Sequence, residues 1–177
     1  MNNVRYEIRA EETAENPRLA EGKIGHFAFS HRRYSLGDVD QTFFIDQFGS
    51  WDEVEQMLRE DRGAFLIFKA SMTDHSSQQI YLGDPRDAWD SEVIGFCWMS
   101  KEEVVDLCGS LEEDSIAAAK KALEDELVRY NAWRNGGIYE AVIFDENGEP
   151  KDIFGGFLSE EEAKEYVERL TEEGHWN

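Results

Sequence analysis

The chain has 177 residues, 41% of them hydrophobic and 12% aromatic, so it can bury a core and is not expected to be disordered. Its 39 Asp and Glu stand against 18 Lys and Arg, a net charge of -21, which argues against direct binding to nucleic acid backbones or anionic membranes and points to a basic partner. No apolar run approaches the roughly 18 residues of a membrane span, the first residues lack an apolar signal region, and Cys97 and Cys108 have neither metal nor redox spacing. The expectation is one cytoplasmic domain over residues 1–177.

Val4, Tyr6 and Ile8 alternate with polar residues and predict a first strand. Glu11–Glu21 reads as a polar connection and Ile24–Ser30 as a second strand, with Phe27 and Phe29 sharing a face. His31–Gln41 is a loop, and Phe43, Phe44, Ile45 and Phe48 are expected to pack beneath it. Ser50 caps a helix over Trp51–Glu60, with Glu53 three positions on and Trp51, Val54 and Leu58 as its apolar stripe. Ala64–Ala70 is an apolar run of strand length, Ser71–Gln79 a polar loop, Ile80–Leu82 a short strand and Gly83–Asp87 a turn. Val93–Met99 is another core strand. Ser100 with Glu103 opens a helix to Leu107. A longer helix runs from Ser115 to Arg134, burying Ile116, Ala119, Leu123, Leu127 and Tyr130. Strands Ile138–Phe144 and Asp152–Phe157 flank a hairpin turn at Asp145-Glu146-Asn147-Gly148. Ser159 and Glu162 open a last helix over Glu160–Thr171, and Glu172–Asn177 is expected to fray. Strands in local pairs, rather than strictly alternating with helices, predict an α+β fold: a largely antiparallel sheet packed with about four helices.

Charge is uneven along the chain. Residues 111–177 carry 18 acids and 7 bases. The acids fall on two helices: Glu112, Glu113, Asp114, Glu124, Asp125 and Glu126 on one, and Glu160, Glu161, Glu162, Glu165 and Glu168 on the other. Acids in a first helical turn offset the helix dipole. That accounts for Glu112–Asp114 and Glu160–Glu162, but not for the rest. Either these are solvated faces, or they form a stiff array of negative charge. Carboxylates at i and i+4 stand ~6 Å apart along a helix axis, comparable in scale with the ~3.4 Å axial rise per phosphate on a duplex strand.

His31-Arg32-Arg33 is the densest run of cationic residue types in this acidic chain. One reading pairs the arginines with acids such as Asp38, Asp40 and Asp90, since guanidinium suits bidentate carboxylate contacts. The other makes His31, Arg32, Arg33, Tyr34, Asp38, Trp89 and Asp90 a pocket for an anionic ligand such as a nucleotide, or an enzyme built around it. Asp74-His75-Ser76 holds the residue types of a hydrolytic triad. Triads, however, are assembled by folding rather than adjacency, and no Gly-x-Ser-x-Gly accompanies it, so it reads as a loop. His26, His31, His75 and His175 show no paired spacing, and Asp145-x-Asn147-Gly148 lacks the rest of a calcium loop. No catalytic residue, metal or cofactor is assigned.

Glu15-Asn16-Pro17-Arg18, His31-Arg32-Arg33-Tyr34-Ser35-Leu36-Gly37-Asp38 and Trp89-Asp90-Ser91-Glu92-Val93-Ile94-Gly95-Phe96 resemble a set of poorly characterised acidic proteins encoded by phages and plasmids. Ser100–Val104, the helix ending near Tyr130 and the strand pair around Asp145–Gly148 fit the same pattern. Where that pattern has Asp-His-Ser-Gly, this chain has Ser77 after Asp74-His75-Ser76. The resemblance implies a mobile-element accessory protein and carries over no catalytic residues. By analogy with small acidic proteins of such elements, the expected activity is inhibition, as a DNA mimic, of a basic host protein: a nuclease, a restriction complex or another defence complex. A homodimer is compatible with this reading.

Overall fold

A computed structural model gives the structure of the protein and describes residues 5–74, 77–87 and 89–173. The architecture is α+β, with two antiparallel sheets rather than the one expected. The chain divides into two compact units, Pro17–Asn131 and Met1–Asn16 with Ala132–Asn177.

The central unit is built on a four-stranded sheet. Its strands are β2 (His26–Phe29), β3 (Leu66–Asp74), β4 (Gln78–Leu82) and β5 (Ser91–Met99), in the order β2-β5-β3-β4. β5 reads as a continuous apolar run because both of its faces are covered. Phe96 and Trp98 point to one face, where they join Ala28, Phe43, Val54, Leu58 and Ala64. Val54 and Leu58 come from helix α1 (Trp51–Asp61), whose N-cap Ser50 accepts from the Glu53 amide. Cys97 lies opposite Phe27 and points to the other face, where Phe27 meets the Tyr130 ring edge-on at 5.7 Å. Tyr130 belongs to α3 (Glu113–Arg134), which also buries Ala119, Leu123 and Leu127. Between them α2 (Lys101–Cys108) opens on a full Ser100–Glu103 capping box and ends at Gly109 in the left-handed conformation.

Two expectations for this unit are corrected. Ser71–Gln79 is not a loop, because β3 continues to Asp74 and β4 starts at Gln78. The polar side chains are accommodated inside the ladder: Ser71 is buried and its hydroxyl donates to the Gly83 carbonyl at 2.7 Å. Phe44 does not pack under the loop. It is 65% exposed, while Phe43 takes the core position. A bulge between Ala70 and Ser71 leaves Ile94 as the extra residue on β5. Next to it Gly95 has φ +147, and a Cβ there would lie 2.0 Å from the Ala28 carbonyl oxygen, so only glycine fits.

The terminal unit pairs β1 (Tyr6–Ala10), β6 (Tyr139–Phe144) and β7 (Pro150–Phe157) in the order β1-β6-β7. Helix α4 (Glu160–Glu172) covers one face, with Ala163 and Val167 packed on Ala141 and Ile143 and flanked by Tyr6, Ile8, Phe154 and Phe157. The β6–β7 turn is held by Asp145, whose Oδ1 accepts from the amides of Asn147 (2.8 Å) and Glu149 (2.9 Å). Val4, His75, Ser76 and residues 174–177, which the sequence reading also covered, lie outside the described residues.

Candidate functional site

The loop after β2 is fixed at both ends. At the far end Gly37 donates to the Tyr130 hydroxyl at 2.9 Å, and Asp38 returns to the edge of β2. The Asp38 carboxylate is fully buried and accepts from Arg18 Nε (2.7 Å), Arg18 Nη2 (2.9 Å) and the Phe27 amide (3.0 Å). Arg18 lies over the Phe27 ring at 3.9 Å, donates to the carbonyls of Ile24 and Gly25, and meets Glu126 at 2.7 Å. Burial opposes a charged guanidinium here. The hydrogen bonds to Asp38 and the charges of Asp38 and Glu126 outweigh it and raise the Arg18 pKa above its ordinary value. Lys23 closes the network at 3.4 Å from Asp38 and 3.7 Å from Asp40.

The near end of the loop crosses to β3 and β5. Arg33 pairs with the Asp74 carboxylate, and the Tyr34 hydroxyl donates to the same oxygen at 3.0 Å. His31 stacks on Tyr34 with ring centroids 4.8 Å apart. Its Nδ1 accepts from the Arg33 amide at 3.1 Å, which leaves Nε2 as the donor to Glu92, also at 3.1 Å. These groups border an open cleft of about 280 Å³ lined by Arg32, Arg33, Met72, Asp74, Trp89, Asp90, Ser91 and Glu92.

The structure therefore brings Arg32, Arg33, Trp89 and Asp90 together, with His31 and Tyr34 beside them. Asp38 stands apart as the partner of Arg18, not of the arginine run. The expected arginine partners are corrected in the same way: Arg33 takes Asp74, Asp38 goes to Arg18, and Asp40 goes to Lys23. Arg18 and Asp74 were missed as contributors. A local scan offers no signal for either partner, because Arg18 and Asp38 are separated by 20 positions and Arg33 and Asp74 by 41.

The acids of α3 and α4 are not equivalent. Glu126 turns inward to Arg18 and leaves the outer face on which the sequence placed it. Asp125 pairs with Lys121, and Glu124 stands 3.7 Å from Lys120. Glu112, Glu113 and Asp114 are exposed at the start of α3. On α4 Glu160, Glu161 and Glu162 occupy the first turn, Glu165 is exposed, and Glu168 stands 3.9 Å from Lys164. Glu162 also accepts from the Leu158 amide at 2.7 Å, so part of its role is capping.

Among the described residues no group of three or more His, Cys, Asp or Glu could hold a metal ion. Burial pushes the Cys97 thiol up, away from reactivity. No helix of the described residues is long and apolar enough to cross a membrane. No protein-family model, curated protein or solved structure matches the chain.

Proposed function

We propose that the protein is an accessory protein of a phage or plasmid. It acts in the host cytoplasm by occupying the DNA-binding surface of a nuclease, restriction complex or other defence protein. The observation that carries this reading is the outer face of α4. At 100° per residue Glu161, Glu165, Glu168 and Glu172 fall within one narrow stripe, opposite the buried Ala163 and Val167. The stripe is ~16 Å long, with successive carboxylates ~4.5–6 Å apart along the axis. Among the described residues only Glu168 of these four has an ion-pair partner, Lys164. The unit that carries the stripe has 16 acids against 6 bases. A rigid row of this kind presents charge to a basic groove as a phosphate strand does, without a bond that a nuclease can cut.

The test is inhibition of DNA cleavage by a panel of nucleases and restriction enzymes, measured across a salt titration. Inhibition that weakens as salt rises, and that weakens further when Glu161, Glu165, Glu168 and Glu172 are all changed to Gln, supports the reading. Inhibition that ignores both salt and these four side chains, or no inhibition across the panel, rules it out.

A further inference from the structure

Two exposed side chains, Arg32 and Trp89, stand on the same cleft. Two of its carboxylates are already engaged: Asp74 by Arg33 and Tyr34, and Glu92 by His31. Arg33 is neutralised by Asp74. Among the described residues Arg32 has no hydrogen bond or ion pair. Its exposed guanidinium stands on the cleft with Asp90 and Glu92. The second exposed group is Trp89, 94% exposed on the same cleft. The backbone of the turn that carries it is held. The Trp89 amide donates to Asp87 Oδ1 at 2.8 Å, and the Asp87 amide donates to Ser91 Oγ at 3.0 Å, tying the turn to the start of β5. An exposed indole at the mouth of a cleft offers its face to a flat partner.

An unpaired guanidinium and a presented indole together recognise a flat aromatic that carries an anionic group. We infer that this cleft binds a nucleoside monophosphate, its base on the Trp89 face and its phosphate on Arg32. The volume, about 280 Å³, sits at the small end of ligand pockets and suits one nucleotide rather than a dinucleotide. Charge narrows the choice further. Asp74, Asp90 and Glu92 repel each added phosphate, so a monophosphate is preferred to a triphosphate, and a polynucleotide is excluded by the net charge of -21. A basic peptide fits less well, because Asp74 and Glu92 are already paired and Arg32 opposes it. This site is independent of the acidic face of α4. It is assayed on the protein alone, so either reading can fail without the other.

The experiment titrates the full chain with AMP, GMP, CMP and UMP by calorimetry, with the Trp89 indole N–H resonance as the local reporter. The expected result is saturable binding of at least one monophosphate with a shift of that resonance. Affinity falls by about tenfold or more in Arg32→Gln and in Trp89→Ala, is retained in Trp89→Phe, and is about tenfold weaker for the matching triphosphate. Both side chains are exposed, so the variants fold, as circular dichroism will verify. The inference is overturned by no saturable binding up to about 5 mM, by unchanged affinity in either loss variant, or by a triphosphate or a deoxyoligonucleotide binding as well as the monophosphate.

Discussion

Replacing Asp38 with Ala tests whether the buried ion network organises the central unit. The substitution removes a carboxylate with no solvent exposure and leaves Arg18, itself 1% exposed, with Glu126 and two carbonyls. Breaking a buried pair from one side costs about 3–5 kcal/mol, because the remaining charge stays buried. The Phe27 amide also loses its acceptor, a further ~1–3 kcal/mol if no water replaces it. Part of this is offset by Glu126 at 2.7 Å, so the expected loss is about 3–5 kcal/mol in all. For a unit of this size ~1 kcal/mol shifts Tm by about 4 °C, giving a fall of about 12–20 °C. Thermal and urea denaturation would measure it, with hydrogen exchange at Phe96–Trp98 reporting on the central unit separately. A cycle with Arg18→Met adds a second check: the double variant costs less than the two singles together, by up to ~3 kcal/mol. A loss below ~1 kcal/mol for Asp38→Ala, or strict additivity in the cycle, would refute the reasoning.

Asn131 completes the free edge of β4, its carboxamide accepting from the Ile80 amide at 3.0 Å and donating to the Ile80 carbonyl at 2.7 Å. Asn131→Leu strands both groups at a buried position and is expected to cost about 2–4 kcal/mol; a neutral urea midpoint would contradict this. Asp145 accepts the Glu149 and Asn147 amides, and these bonds outweigh its slight desolvation and hold its carboxyl below the usual range. Its folded pKa lies under the unfolded value of ~3.9, so the contribution is present above that pH and lost as pH falls through the folded pKa. A carbon-13 titration should place the Asp145 midpoint below that of the exposed carboxylates, with the Asn147 and Glu149 amides moving in step; an ordinary midpoint argues against the turn as described. Finally, Glu126→Gln should destabilise the central unit while Glu165→Gln on α4 leaves stability within ~0.5 kcal/mol. Equal effects in the two denaturation curves would mean that the acids are not divided as the geometry indicates.

Much of the fold is legible locally because its punctuation is local. Ser50, Ser100 and Ser159 each accept from the amide three positions on, and the helices start where these caps stand. The Asp145–Gly148 turn places β6 and β7 for the same reason. What depends on distant partners is not readable this way. Nothing near Ser71 or Thr73 says that β5 lies alongside to extend β3 into polar residues. Nothing near Tyr139 or Tyr6 separates a second sheet from the first, because strand pairing across more than a hundred positions leaves no periodic trace. The site follows the same division. Arg32, Arg33, Trp89 and Asp90 stood out by composition and do converge, but their wiring through Asp74, Tyr34, His31 and Glu92 is tertiary. Arg18 reads as one cation among 18 and is instead the most enclosed cation among the described residues of the central unit.

Folding leaves the net charge almost unchanged; what it decides is which acids face water without a cation. Arg18 absorbs Asp38 and Glu126, and Lys120 and Lys121 each stand one turn from an acid, so the middle of α3 is largely compensated. On α4 the arrangement is different. Glu161 and Glu165, and again Glu168 and Glu172, are like charges one turn apart, and such pairs destabilise a helix by about 0.2–0.5 kcal/mol each. The helix tolerates them because Ser159 and Glu162 cap its start and because Ala163 and Val167 are fully buried. A lysine at 165 or 172 would serve both solubility and helix stability better than the glutamate that is there. A basic partner docked on this face, as proposed above, would offset that repulsion, and this is the physical case for reading the α4 face as a contact surface rather than as surplus charge.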